Sequence, residues 1–145
     1  MKLTTRQFGE IEIEDNKIID FNEGLPGFPE LHKFTLMENR DETPDVKGTF
    51  YWLQSVEDGD ISFVLVDMNR FMPDYDPKVE EEQVAELGKF DAETFFVYNI
   101  AVVPPNVREM TVNLKAPVLI NTSSQKGKQV ICNNEEYTVR HTMFA

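Results

Sequence analysis

The chain has 145 residues, of which 41% are hydrophobic and 11% aromatic, and its 26 acidic and 14 basic side chains leave a formal net charge of −12 at pH 7. A single domain over residues 1–145 can bury enough apolar surface to fold without metal or disulfide staples, and this aromatic content excludes a disordered acidic tail. The charge excludes direct nucleic-acid binding, which depends on Lys and Arg releasing counterions from phosphates, and it disfavours anionic membranes.

No run reaches the ~18 apolar residues of a membrane-spanning helix. Met1 to Phe21 carries acids every few residues where a secretory signal would need an apolar core. Cys132, the single cysteine, cannot form an intramolecular disulfide. A cytoplasmic protein, monomeric when free, is the expectation. Its charge is uneven: residues 1–100 hold 9 Lys and Arg against 23 Asp and Glu, a net of −14, whereas residues 101–145 hold 5 against 3, a net of +2.

In chain order, Ile11 and Ile13 interleave with Glu10, Glu12 and Glu14. Asp15-Asn16 then breaks the run before Ile18, Ile19 and Phe21, so Thr4 to Phe21 predicts a β-hairpin. Gly24-Leu25-Pro26-Gly27-Phe28-Pro29 can extend neither strand, because proline removes ladder donors and glycine admits positive φ; it reads as a shaped loop. Phe34, Leu36 and Met37 resume a short strand, followed by a polar stretch from Glu38 to Gly48 without periodicity. Phe50 to Val56 and Ile61 to Met68 predict an antiparallel pair joined through Asp58-Gly59, the second strand being apolar enough for burial on both faces.

Asn69 to Pro77 is irregular. Val79 to Leu87 places apolar residues on one helical face, and Gly88 is a stop signal, so one short helix is expected. Thr94 to Val103 predicts a strand halted by Pro104-Pro105. Met110 to Leu114, Pro117 to Asn121 and Gln129 to Cys132 predict further strands, with a polar turn over Ser123 to Lys128, and Tyr137 to Arg140 pairs or caps. About eight or nine strands with one helix define a mainly β chain, an antiparallel β-barrel-like single domain.

Chemistry-bearing motifs are few. His32 and His141 lie in no ligand or triad spacing and read as exposed imidazoles. Asp67-x-Asn69 with Asp74-x-Asp76 lacks the glycine and terminal glutamate of a calcium loop. Gly24-x-x-Gly27 contains a proline and is not followed by lysine, which excludes a phosphate loop. Asn121-Thr122-Ser123 matches a glycosylation sequon by chance, and Cys132 reads as a small buried hydrophobe. No metal, cofactor or catalytic residue is assigned. Paired carboxylates are available in any chain this acidic, so a small acidic β-barrel hydrolase stands as the alternative.

A binding surface remains. Glu80, Glu81 and Glu82 beside Asp74, Tyr75, Phe71 and Met72 form the densest acidic and aromatic neighbourhood, where aromatic bodies anchor and acids steer a basic or helical partner. Pro104 and Pro105 are a second candidate contact, and the glycine-proline loop is expected to shape the fold.

Several segments in order resemble the flagellar assembly factor FliW family. They are Gly9 and Ile11 with Ile18-Ile19-x-Phe21; Gly24-Leu25-Pro26-Gly27-Phe28; Trp52-Leu53-Gln54-Ser55; Phe63-Val64 leading to Phe71 and Pro73-Asp74-Tyr75; Val102-Val103-Pro104; Thr111-Val112-Asn113-Leu114-Lys115-Ala116-Pro117 with Ile120-Asn121; and Lys128-Gln129-Val130. Met68-Asn69 departs from the pattern, where Asp-Pro or a similar turn is more usual. The resemblance implies a cytosolic β-barrel-like protein that takes part in flagellum biogenesis by binding the translational repressor CsrA and the filament protein flagellin. Free of flagellin it holds CsrA off messenger RNA; captured by unexported flagellin, it releases CsrA, which stops further flagellin translation.

Overall fold

The structure, a computed structural model, describes residues 1–38, 50–89, 91 and 93–143. The N-terminal segment forms a hairpin, but not between the strands expected. β1 (Lys2–Thr5) pairs antiparallel with β2 (Gly9–Glu12), Leu3 opposite Ile11. Thr5 Oγ1 closes the turn by accepting from Phe8 N–H at 2.8 Å and donating to Gly9 O at 2.9 Å. Asp15-Asn16 is not the hairpin's reversal: Asp15–Lys17 is a 3-10 turn that carries the chain into β3 (Ile18–Asp20), which belongs to a different sheet. There Ile19 and Phe21 reach near-complete burial, which a solvent-facing two-stranded ribbon could not supply.

From β3 the sheet proceeds by antiparallel neighbours through β4 (Lys33–Glu38), β5 (Phe50–Ser55), β6 (Ser62–Val66) and β7 (Phe95–Val102). The first half of β7 pairs with β9 (Val118–Asn121), β9 pairs with β10 (Lys126–Gln129), and β10 returns to β3 in a single parallel register, Lys126 opposite Asp20. Seven strands thus close a barrel. The second half of β7 carries β8 (Thr111–Val112), and β8 carries β11 (His141–Thr142) as an outward extension.

Alternate residues of these strands point inward. Phe21, Phe34, Leu53, Leu65, Tyr98, Val118 and Ile120 fill the barrel, with Phe21 and Phe34 meeting edge to face at 5.3 Å between centroids. The opposite faces of β6, β7 and β8 are covered as well: Val66, Ala101 and Val112 pack beneath Met68, Tyr75, Met110, Leu114, Cys132 and Tyr137. This second layer explains the nearly continuous apolar run of β6. The helix α1 (Glu81–Val84) runs into a 3-10 turn, Ala85–Leu87, and the pair covers Leu119 and Val130 on the outside of β9 and β10 before Gly88 ends it at φ +89°.

Two boundaries differ from expectation. The polar segment read as a turn supplies β10 itself, which starts at Lys126 and ends at Gln129, so the strand expected at Gln129 to Cys132 lies too late. Glycine is required inside that strand because the Phe21 ring lies directly over Gly127, where a Cβ would overlap it. Tyr137 to Arg140 forms no strand; the pairing begins at His141. At Met68-Asn69 the turn forms without proline: Asp67 Oδ1 accepts from Asn69 N–H at 3.3 Å, and Met68 is buried in the second layer. The expected polar stretch beyond Glu38 falls outside the described residues up to Phe50.

Candidate functional site

The segment from Asp67 to Glu82 is held against the outer layer rather than looping into solvent. A 3-10 turn over Met68–Arg70 presents Phe71, which is 41% exposed and meets Phe50 in a tilted ring contact at 6.2 Å between centroids. Met72 is half-buried against the second layer, and Asp74 is exposed. Tyr75 differs from the surface role expected of it: it is 5% exposed, its Oη donates to Leu114 O at 2.7 Å and accepts from Asn99 Nδ2 at 2.8 Å. Burial raises its phenol pKa well above the ordinary tyrosine value, so it stays neutral. Its ring contacts Tyr137 at 4.9 Å, and Tyr137 Oη accepts from Asp76 N–H at 2.9 Å.

The chain then reaches α1 through a second set of clamps. Asn134 Oδ1 accepts from Lys78 N–H at 2.7 Å, Asn134 Nδ2 donates to Asp76 O at 3.0 Å, and Lys78 and Asp76 form an ion pair. Glu80 and Gln83 make a capping box, each side chain accepting from the other's backbone N–H, and Asn133 Nδ2 donates to Glu80 Oε1 at 2.9 Å. Glu80 is thus structurally engaged, while Glu81 and Glu82 are exposed in the first turn, where the helix dipole favours anions. Of the residues expected at this site, Phe71, Asp74, Glu81 and Glu82 present surface, Glu80 and Met72 do so in part, and Tyr75 holds the segment down from within. Pro104 is half-buried and Pro105 exposed at the end of β7, next to Val102 and Val103 at 65% and 49% exposure.

The other motifs settle into structure. His32 is half-buried, not exposed as expected, with Nδ1 3.0 Å from Phe21 O, and His141 is half-buried in β11. Cys132 is buried. Asn121 of the sequon is inaccessible at 1% exposure, its amide donating to Leu87 O and Lys89 O. The described residues contain no cluster of three or more His, Cys, Asp or Glu arranged to hold a metal. Glu57 and Glu86 are carboxylates whose titration is displaced, and both shift downward, Glu57 chiefly through the His32 N–H bond and Glu86 chiefly through Lys128 at 2.8 Å. That is the opposite of the raised pKa a general acid requires.

Sequence reasoning missed one surface. Ile131 and Val139 are 65% and 59% exposed, although both fall in segments expected to be strand or cap. Alternation carried the signal for Ile131, since its neighbours Val130 and Cys132 are buried.

This is a small β-barrel with a tightly clamped acidic and aromatic outer segment. The sequence profile described as "FliW protein" matches residues 2–143. A flagellar assembly factor FliW from Thermoanaerobacter pseudethanolicus is 40% identical over 145 residues, covering 99% of this chain and 93% of that one. Its counterpart from Alkaliphilus metalliredigens is 43% identical over 141 residues, covering 97% and 85%. A crystal structure of the flagellar assembly factor FliW superposes with a TM-score of 0.88 at 31% identity, covering 100% of this chain and 98% of that one. The chain belongs to the FliW family of flagellar assembly factors.

Proposed function

We propose that this protein acts in flagellum biogenesis by binding rather than by catalysis, antagonising the cytoplasmic translational regulator CsrA and exchanging it for flagellin. The observation that carries the reading is family membership along nearly the whole chain, together with an exposed set of carboxylates, Asp74, Glu81 and Glu82, on a segment clamped to the barrel. An RNA-binding regulator is basic where it holds phosphates. A partner of net charge −12 docked beside it places a negative field over about one Debye length, ~8 Å at physiological salt, and so disfavours the RNA without occupying its groove.

Phe71 and Met72 supply apolar contact, the helix carboxylates steer, and Pro104 and Pro105 form a second contact. Tyr75 contributes by fixing the segment's position. Homeostasis requires flagellin and CsrA to be negatively coupled, each lowering the other's affinity by the same factor. The test is a three-protein competition: CsrA–RNA affinity is measured with purified protein present, then with flagellin added. Loss of RNA binding that flagellin restores supports the reading. Unchanged RNA binding by CsrA at micromolar excess overturns it.

A further inference from the structure

The barrel seam between β3 and β10 opens immediately after its single register pair. Past Lys126, the Phe21 ring turns inward over Gly127 and the chain departs as the Gly24–Pro29 loop, leaving the rest of β10 without a strand on that side. Between this loop and the end of β10 lies a groove of about 550 Å³, bounded beyond by Asn113, Lys115 and Ala116. Past Val139 it continues into a second hollow of about 290 Å³ lined by Phe63, Ile100 and Val102, with Pro26, Asn113 and Gln129 common to both. Val102, Ile131 and Val139 are the three most exposed aliphatic side chains among the described residues, at 65%, 65% and 59%, and all three lie on this groove. Apolar exposure gathered in one concavity marks an interaction site more than scattered single residues do.

Polar features of the same groove specify the occupant. Gln129 Nε2 donates to Ala116 O at 3.0 Å, which fixes that side chain at the end of β10. Arg140 lines the second hollow and has no carboxylate within ion-pair distance among the described residues, whereas the Lys115 ammonium already donates to Asn134 O at 2.7 Å. The facing Glu23 is already engaged by Lys128 at 3.6 Å. On a chain of net charge −12, the wall that carries Arg140 comes from residues 101–145, which are net positive, and the facing wall is the loop after Glu23.

We infer that the groove docks an extended segment of a partner protein, apolar at alternate positions and carrying a carboxylate. An unpaired strand edge calls for free backbone N–H groups, which an extended chain offers and a helix has already used internally. Alternate side chains enter the two hollows, and the carboxylate meets Arg140. The site is separate from the acidic segment of α1, so it stands or falls independently of the steering surface described above.

The test is selection from a library of random twelve-residue peptides on the whole protein, followed by anisotropy titration of the selected peptides. Sequences with apolar residues at every second position and an enriched Asp or Glu support the inference. So does a loss of about tenfold or more in affinity with Val139→Asp and with Ile131→Asp, both folded by thermal melt, in line with the leverage of central contacts. Arg140→Glu weakens acidic peptides and leaves versions with Asp replaced by Asn less affected. Selection of basic or helix-patterned peptides, binding indifferent to both apolar substitutions, or no saturable binding overturns it. So does sedimentation showing a dimer that Val139→Asp dissolves, which assigns the groove to a second copy.

Discussion

Asn99 Nδ2 donates to Tyr75 Oη at 2.8 Å, and Tyr75 Oη donates in turn to Leu114 O at 2.7 Å, so one buried hydroxyl ties the outer segment to β7 and to the chain following β8. Asn99 Nδ2 also donates to Asn113 O at 2.8 Å, which places the amide at the centre of the second layer. The candidate surface is therefore positioned from below by a residue that itself never reaches solvent.

Tyr75→Phe removes the bond to Leu114 O and the acceptor for Asn99 while conserving ring volume. Leaving buried polar groups unpaired costs about 1–3 kcal/mol. Urea unfolding is expected to show a lower midpoint with an unchanged slope, and CsrA binding is expected to weaken through misplacement of Phe71 and Asp74.

Gly127→Ala places a methyl group against the Phe21 ring at the barrel seam. Overpacking of this kind costs about 1–3 kcal/mol. Calorimetry should record a lowered Tm, and Phe21→Leu in the same chain should recover part of it by vacating the contact, giving a non-additive double-mutant cycle.

Glu57 accepts from His32 N–H and Lys33 N–H, at 2.5 Å and 2.8 Å, and these bonds hold its pKa below 4.5. A carboxylate depressed in the folded state adds stability that is fully present above its unfolded pKa and is lost as pH falls through the folded value. Glu57→Gln is expected to lower stability at pH 7 by about 1 kcal/mol or less, because the group is solvent-exposed. That difference should vanish once the wild-type carboxyl is protonated, as followed by denaturant titrations from pH 7 downward.

Reversal of charge at the steering surface is best confined to Glu81→Lys with Glu82→Lys, since Glu80 caps α1. Association with CsrA at low salt should slow by about tenfold, the dissociation rate should change less, and the difference should shrink with added salt. Equal association rates at low salt would place the contact on another face.

Much of this architecture is legible locally. Tyr51, Leu53, Phe63 and Leu65 alternate because strands do, Asp58-Gly59 reverses β5 into β6, and Gly88 ends the 3-10 turn after α1 because glycine tolerates φ +89° without strain. The acidic segment was legible as composition, but not its internal division. Nothing near Tyr75 in the chain distinguishes it from Phe71; it is buried because Asn99, Leu114 and Tyr137, remote in sequence, converge on it. The same holds for β3, which leaves the N-terminal hairpin because the barrel buries Ile19 and Phe21 more completely than a ribbon can.

The −12 charge, its concentration in the first hundred residues, the strand-rich pattern and the family-bearing motifs are properties of the linear chain, because they rest on residue type and near-neighbour spacing alone. Which acids remain exposed, which aromatic turns inward, and where an apolar groove opens at the seam were decided only by tertiary structure. Those outcomes depend on barrel closure between Lys126 and Asp20, a contact between residues more than a hundred positions apart that no local preference specifies.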